Sequence, residues 1–94
     1  MTHSRFITLC KECEQILRNA APYKTGNLRY NAIKVKIIGN TCRLYVDEDI
    51  APYMKYTNEP WVGRKNPNEG WFDRAAEKIA RHIAARTGGE LYNA

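Results

Sequence analysis

The apolar residues of this chain change rhythm twice. From about Ser4 to Ala20 they recur with helical spacing, and Phe6, Leu9, Cys10, Cys13, Ile16, Leu17 and Ala20 fall on one stripe. Thr2 or Ser4 stands where a cap belongs, and Glu14 and Arg18 form an i,i+4 pair on the wet face. Asn19-Ala20-Ala21-Pro22 ends the helix, because proline cannot continue it. Over residues 32–47 the rhythm becomes alternation. Gly39-Asn40 fits a two-residue type II′ loop, which sets Ile37 opposite Cys42, Val35 opposite Leu44 and Ile33 opposite Val46. One register thus gathers every apolar pair on one face, leaving Lys36 opposite Arg43 and Lys34 opposite Tyr45 on the other. From about residue 68 to 86 the helical period returns. Trp71, Phe72, Ala75, Ala76, Ile79, Ala80 and Ile83 make an alanine-rich stripe that lets a neighbour approach closely. Acids near its start and Arg81, His82 and Arg86 near its end suit the helix dipole. Gly88-Gly89 stops the helix, and residues 89–94 are expected to form a mobile tail.

Between these elements lie three joints. The corner at residues 22–29 is built on Pro22, Thr25, Gly26 and Leu28. Gly26 can take positive φ, and Thr25 or Asn27 is placed to cap a short turn through Leu28 and Tyr30. Asp47-Glu48-Asp49 closes the hairpin and leads into a helical turn or irregular strand carrying Tyr53, Met54 and Tyr56. The third joint, residues 58–70, contains Pro60, Gly63, Pro67 and Gly70 and is long for a small domain. It holds Trp61, Val62 and a basic tip, Arg64-Lys65. Trp61 reads equally as a core plug or as a partner contact. A lone hairpin leaves open sheet edges, which a neighbouring chain or a third strand from this loop would cover. The expected fold is a single α+β domain, with an N-terminal helix, a twisted antiparallel hairpin and a C-terminal helix packed on the sheet.

Composition narrows the chemistry. Fifteen Lys and Arg against ten Asp and Glu give a net charge of +5 in 94 residues. The basic residues are dispersed, and Lys34, Lys36, Arg43, Arg74, Lys78 and Arg81 are the candidates for a basic surface. The N-terminus is polar without an apolar core, and no apolar run reaches membrane-spanning length, so neither a signal peptide nor a membrane partner is expected. Three cysteines, an odd number, fit free thiols in a reducing cytoplasm. Cys10-Lys11-Glu12-Cys13 has redox or zinc spacing, yet both sulfurs lie on the apolar stripe. Only Cys42, His3 and His82 remain to complete a four-ligand site, so the pair reads as core thiols. Asp47-Glu48-Asp49 precedes a helical turn, where capping acids belong. No nucleophile–base pair, phosphate loop or metal constellation emerges, and no cofactor or enzyme activity is expected.

Pro22-Tyr23-Lys24-Thr25-Gly26-Asn27-Leu28-Arg29 resembles the proline–x–x–Thr-Gly-Asn/Arg-Leu-Arg corner of phage head–tail joining proteins. These are tail-completion or neck proteins, often labelled minor capsid proteins. Ala51-Pro52-Tyr53-Met54-Lys55-Tyr56 is similar to the family's Tyr-Ala-x-Tyr segment after the hairpin. Gly70-Trp71-Phe72-Asp73-Arg74-Ala75 resembles the entry to its final helix. The order and spacing agree over nearly the whole chain, with one departure: Thr57-Asn58-Glu59-Pro60 stands where the family often has Glu-x-Gly-Thr. The resemblance implies a virion structural subunit, assembled from the host bacterial cytoplasm into a ring at the neck. Its partners would be further copies of itself and the neighbouring connector and tail-tube proteins, with DNA only as passing cargo. Trp61, Val62, Arg64 and Lys65 are then the candidate assembly contacts, and no catalytic residues carry over.

Two other functions fit the same residues. One is a small nucleic-acid-binding module using the six dispersed basic residues. The other is a phage accessory protein that inhibits a host enzyme by protein–protein binding.

Overall fold

The computed structural model describes residues 2–22 and 26–87. Helix α1 spans His3–Ala20, and Thr2 caps it by accepting from the Arg5 amide at 3.2 Å. Leu9, Cys10, Cys13 and Leu17 are its buried residues. They fall on the stripe that the periodicity predicts.

The corner is a six-residue π-helix, Asn27–Ala32, rather than an ordinary helical turn. Gly26 enters it at φ 83°, in the left-handed region where a side chain is strained. Its N-cap is Gly26, which has no side chain to offer. Asn27 lies inside it instead, donating to the Ile50 carbonyl at 3.0 Å and to the Tyr53 hydroxyl at 3.1 Å. Thr25 and the tail at 89–94 lie outside the described residues. Leu28 and Ala32 point into the core, so the corner delivers the chain directly to the hairpin.

Strands β1 (Ile33–Ile38) and β2 (Thr41–Val46) pair antiparallel. The register is the expected one, with Ile33 opposite Val46, Val35 opposite Leu44 and Ile37 opposite Cys42. Gly39 alone takes positive φ in the turn, at 57°, as a type II′ loop requires. Burial fades along the hairpin: Ile33 is fully buried, Val35 and Ile37 are half-buried, and Ile38 is 65% exposed. The helices cover only the base of the ribbon. Among the described residues the sheet has two strands, and the 58–70 loop supplies no third.

Helix α2 (Met54–Asn58) is a single turn, and α3 spans Trp71–Thr87. Periodicity extends α3 back to residue 68, but Gly70 at φ 75° breaks the helical path just before Trp71. The core joins Leu17, Ala21, Leu28, Ala32, Ile33, Ala51, Trp71 and Ala75, with Leu44, Phe72 and Ile79 packed against it. The helices are also linked by polar side chains, Glu12 meeting His82 at 2.7 Å and Arg86 at 3.4 Å.

Arg18 departs from its sequence reading. It pairs with Glu14, but its side chain is only 20% exposed and reaches beyond its own helix. It donates to the carbonyls of Arg29 at 2.7 Å, Tyr30 at 3.1 Å and Ile33 at 2.8 Å. These oxygens lie where the π-helix hands over to β1 and need partners from outside. Arg29 answers in the other direction, donating to the Ala21 carbonyl at 2.9 Å.

Candidate assembly surface

The loop between α2 and α3 is ordered by two asparagines. Asn66 is 2% exposed and sits at the loop's centre. Its amide donates to the Thr57 carbonyl at 2.9 Å and the Glu59 carbonyl at 2.7 Å, and its oxygen accepts from the Asn68 amide at 2.9 Å. Asn58 receives the Gly70 amide on its carbonyl at 2.8 Å and the Phe72 amide on its side chain at 3.0 Å. Thr57 accepts from the buried Trp71 indole at 3.0 Å. Thr57-Asn58-Glu59, where the chain departs from the phage family's pattern, is therefore the anchor of the loop.

On this base stands a local stack. Tyr56 and Trp61 lie nearly parallel, with ring centroids 5.0 Å apart, and the Arg64 guanidinium sits 4.8 Å from the Trp61 centroid. The indole is thus stacked with the Tyr56 ring and covered by the Arg64 cation. Its N–H donates to the Tyr56 carbonyl at 2.8 Å. Trp61 is half-buried and stands outside the core cluster. It is not a core plug. Val62, next along, is fully exposed, and Arg64 and Lys65 are exposed as well.

Beside the stack lies a cavity of about 580 Å³. The corner contributes Pro22, Gly26 and Leu28 to its wall, and Tyr53, Tyr56 and Trp61 also line it. Tyr53 and Tyr56 are 40% and 56% exposed, so much of their ring surface faces solvent. The corner and the loop, far apart in sequence, thus form one surface.

The basic candidates do not gather in this way. Lys34, Lys36 and Arg43 lie on the outer face of the hairpin, where Arg43 covers the Tyr45 ring at 5.1 Å. Arg74, Lys78 and Arg81 are exposed on α3. Arg74 donates to the Glu69 carbonyl, and Arg81 pairs with Glu77. The two sets belong to different elements, and part of the α3 charge is already engaged.

The three thiols are free and line a second, apolar groove of about 410 Å³ among α1, β2 and α3. Burial, together with a hydrogen bond to Cys42, pushes the Cys10 thiol up to about 12. Burial likewise raises the Cys13 thiol. Among the described residues no three His, Cys, Asp or Glu side chains come together to hold a metal ion. Asp47 serves the backbone: its side chain accepts from the Asp49 amide at 3.0 Å, and its carbonyl from Ile50 and Ala51. No described helix is long and apolar enough to cross a membrane.

Asn66, Asn58 and the reach of Arg18 beyond its Glu14 pair are what sequence reasoning missed. Asn66-Pro67 was the available signal, since an asparagine before proline commonly starts a turn by bonding its own backbone. Comparison with family models, with curated proteins and with solved structures finds no match.

Proposed function

We propose that this chain is a structural subunit of a phage or prophage neck, one copy in a ring that joins head to tail around the DNA channel. The observation that supports this most directly is the loop at 58–70. It is held by buried side chains at its base and ends in a fully exposed Val62 between an aromatic stack and two exposed basic residues. A rigid base under an exposed apolar tip is what a subunit contact needs, because little order has to be imposed on binding. Among the described residues the hairpin pairs with no further strand, and its edges, with Ile38 exposed at its end, add surface that assembly would cover. The resemblance at residues 22–29, 51–56 and 70–75 supplies the identity of the assembly. The protein would act in the virion, after recruitment from the host bacterial cytoplasm.

The test is to disrupt the coding sequence in the genome that carries it and image the particles released on induction. Filled heads separated from finished tails, joined again when the gene is supplied in trans, are the expected result. Normal joined virions would overturn the proposal. The dispersed basic residues make a separate check. A duplex affinity that falls steeply with salt, and is abolished when Lys36, Arg43, Arg74 and Lys78 are neutralised, would favour the nucleic-acid module instead.

A further inference from the structure

We infer that the cavity between the corner and the loop is a docking site for an extended acidic peptide segment of a partner protein. Such a segment would place an apolar side chain between Leu28, Tyr53 and Tyr56 and a carboxylate on Arg64. At about 580 Å³ the cavity is large enough for one or two side chains, and its walls are mostly apolar and aromatic. Its rim carries the recognition chemistry. Arg64 is exposed and fixed over Trp61, and no described carboxylate lies within ion-pairing distance of it. A guanidinium carries N–H groups in the fork geometry that binds a carboxylate through two hydrogen bonds. Lys65 beside it and the net charge of +5 favour the same sign of partner.

The stack also argues against a nucleobase as occupant. Nucleobases are usually held by stacking on an open aromatic face. Trp61 is already stacked with Tyr56 and covered by Arg64, and its N–H is spent on the Tyr56 carbonyl. What remains is a concave apolar wall with an oriented cation at its edge, which suits a side chain followed by a carboxylate. The backing of the wall is preformed, since Asn66 and Asn58 fix the loop and Asn27 fixes Tyr53. This inference rests on the cavity alone and stands or falls apart from the neck assignment.

The test is selection of displayed random decapeptides on the folded 94-residue protein, followed by titration of the enriched sequences using tryptophan fluorescence. Enrichment of peptides that pair Asp or Glu with a nearby apolar residue is expected. Arg64→Glu should weaken them by about tenfold or more, while Arg64→Lys, which keeps the charge but not the fork, should lose less. Tyr56→Ser tests the wall independently, and equal melting temperatures for all variants establish that the fold is intact. Peptides that bind equally well to Arg64→Glu, or no enrichment of acidic sequences, would overturn the inference. So would oligo(dT) that binds with an affinity sensitive to Arg64 and Tyr56, because the site would then belong to a nucleic acid.

Discussion

Arg18 on α1 donates to the carbonyl of Ile33, the first residue of β1, at 2.8 Å. The same guanidinium holds the carbonyls of Arg29 and Tyr30 and is oriented by Glu14. A π-turn that ends directly in a strand leaves carbonyls which neither element satisfies. One cation from the neighbouring helix collects them, so the angle between helix and hairpin is set by a side chain as well as by the core.

That arrangement makes Arg18 worth far more than a surface ion pair. Replacing it with Met keeps the stem and removes the donors, and should cost about 1.5–3 kcal/mol, the range for hydrogen bonds to charged groups. Glu14→Gln removes only the orienting charge and should cost about 0.5–1 kcal/mol. Chemical denaturation of both variants decides the matter. Equal losses would mean that the carbonyl contacts contribute nothing beyond the ion pair.

The periodic part of this fold was legible from residues alone. The stripe of α1, the hairpin register and its turn all follow from spacing, because one wrong step would turn every apolar side chain outward. The start of α3 was misplaced by three residues because periodicity continues through Asn68, whereas the glycine that breaks the path does so by its backbone angle. Arg18, Asn58 and Asn66 act by side-chain bonds to backbone groups between 7 and 15 residues away, and such bonds leave no periodic trace. The candidate surface was half legible. Trp61, Val62 and Arg64 were singled out by loop composition, but the cavity needs Pro22, Leu28 and Tyr53 brought to them by the fold.

Asn66 is the clearest case for mutation in the loop. Asn66→Ala leaves the Thr57 and Glu59 carbonyls and the Asn68 amide without their partner in a buried site. A loss of about 2–4 kcal/mol is expected from that number of broken contacts. Val62→Asp, four residues away at the exposed tip, should change stability by less than about 0.5 kcal/mol. Thermal melts of the two variants measure this, and a mild Asn66→Ala would show that the loop is held by its backbone alone.

The thiols predict an alkaline limit. Burial raises Cys10 from its ordinary value of 9.0 to about 12 and raises Cys13 in the same direction. The unfolded chain therefore releases these protons at lower pH than the folded one. Above about pH 9 the unfolded state binds fewer protons, so stability is full below pH 9 and falls as pH rises toward 12. Replacing Cys10 and Cys13 together with Ala should flatten that decline in denaturation curves taken across the window. In the native protein near neutral pH, Cys42 should react first with a thiol reagent, and Cys10 and Cys13 only on unfolding. Stoichiometric labelling of all three thiols without unfolding would contradict the burial.

The last prediction separates the two tryptophans. Trp71 is 2% exposed, belongs to the core and bonds Thr57, so Trp71→Ala should cost about 3–5 kcal/mol. Trp61 stands outside the core cluster and is held locally, by Tyr56 of α2, by Arg64 and by one backbone carbonyl. Its replacement by Ala should cost about 1 kcal/mol, with the cooperative melt retained. Its effect in assembly should be the larger one, because losing the indole removes the surface on which Arg64 is held and collapses one wall of the cavity. The Trp61→Ala protein, supplied in trans to particles lacking the gene, should melt near the native temperature yet fail to restore head–tail joining. Full restoration would remove the 58–70 loop from the contact, and a melt lowered as far as that of Trp71→Ala would make Trp61 a structural residue after all.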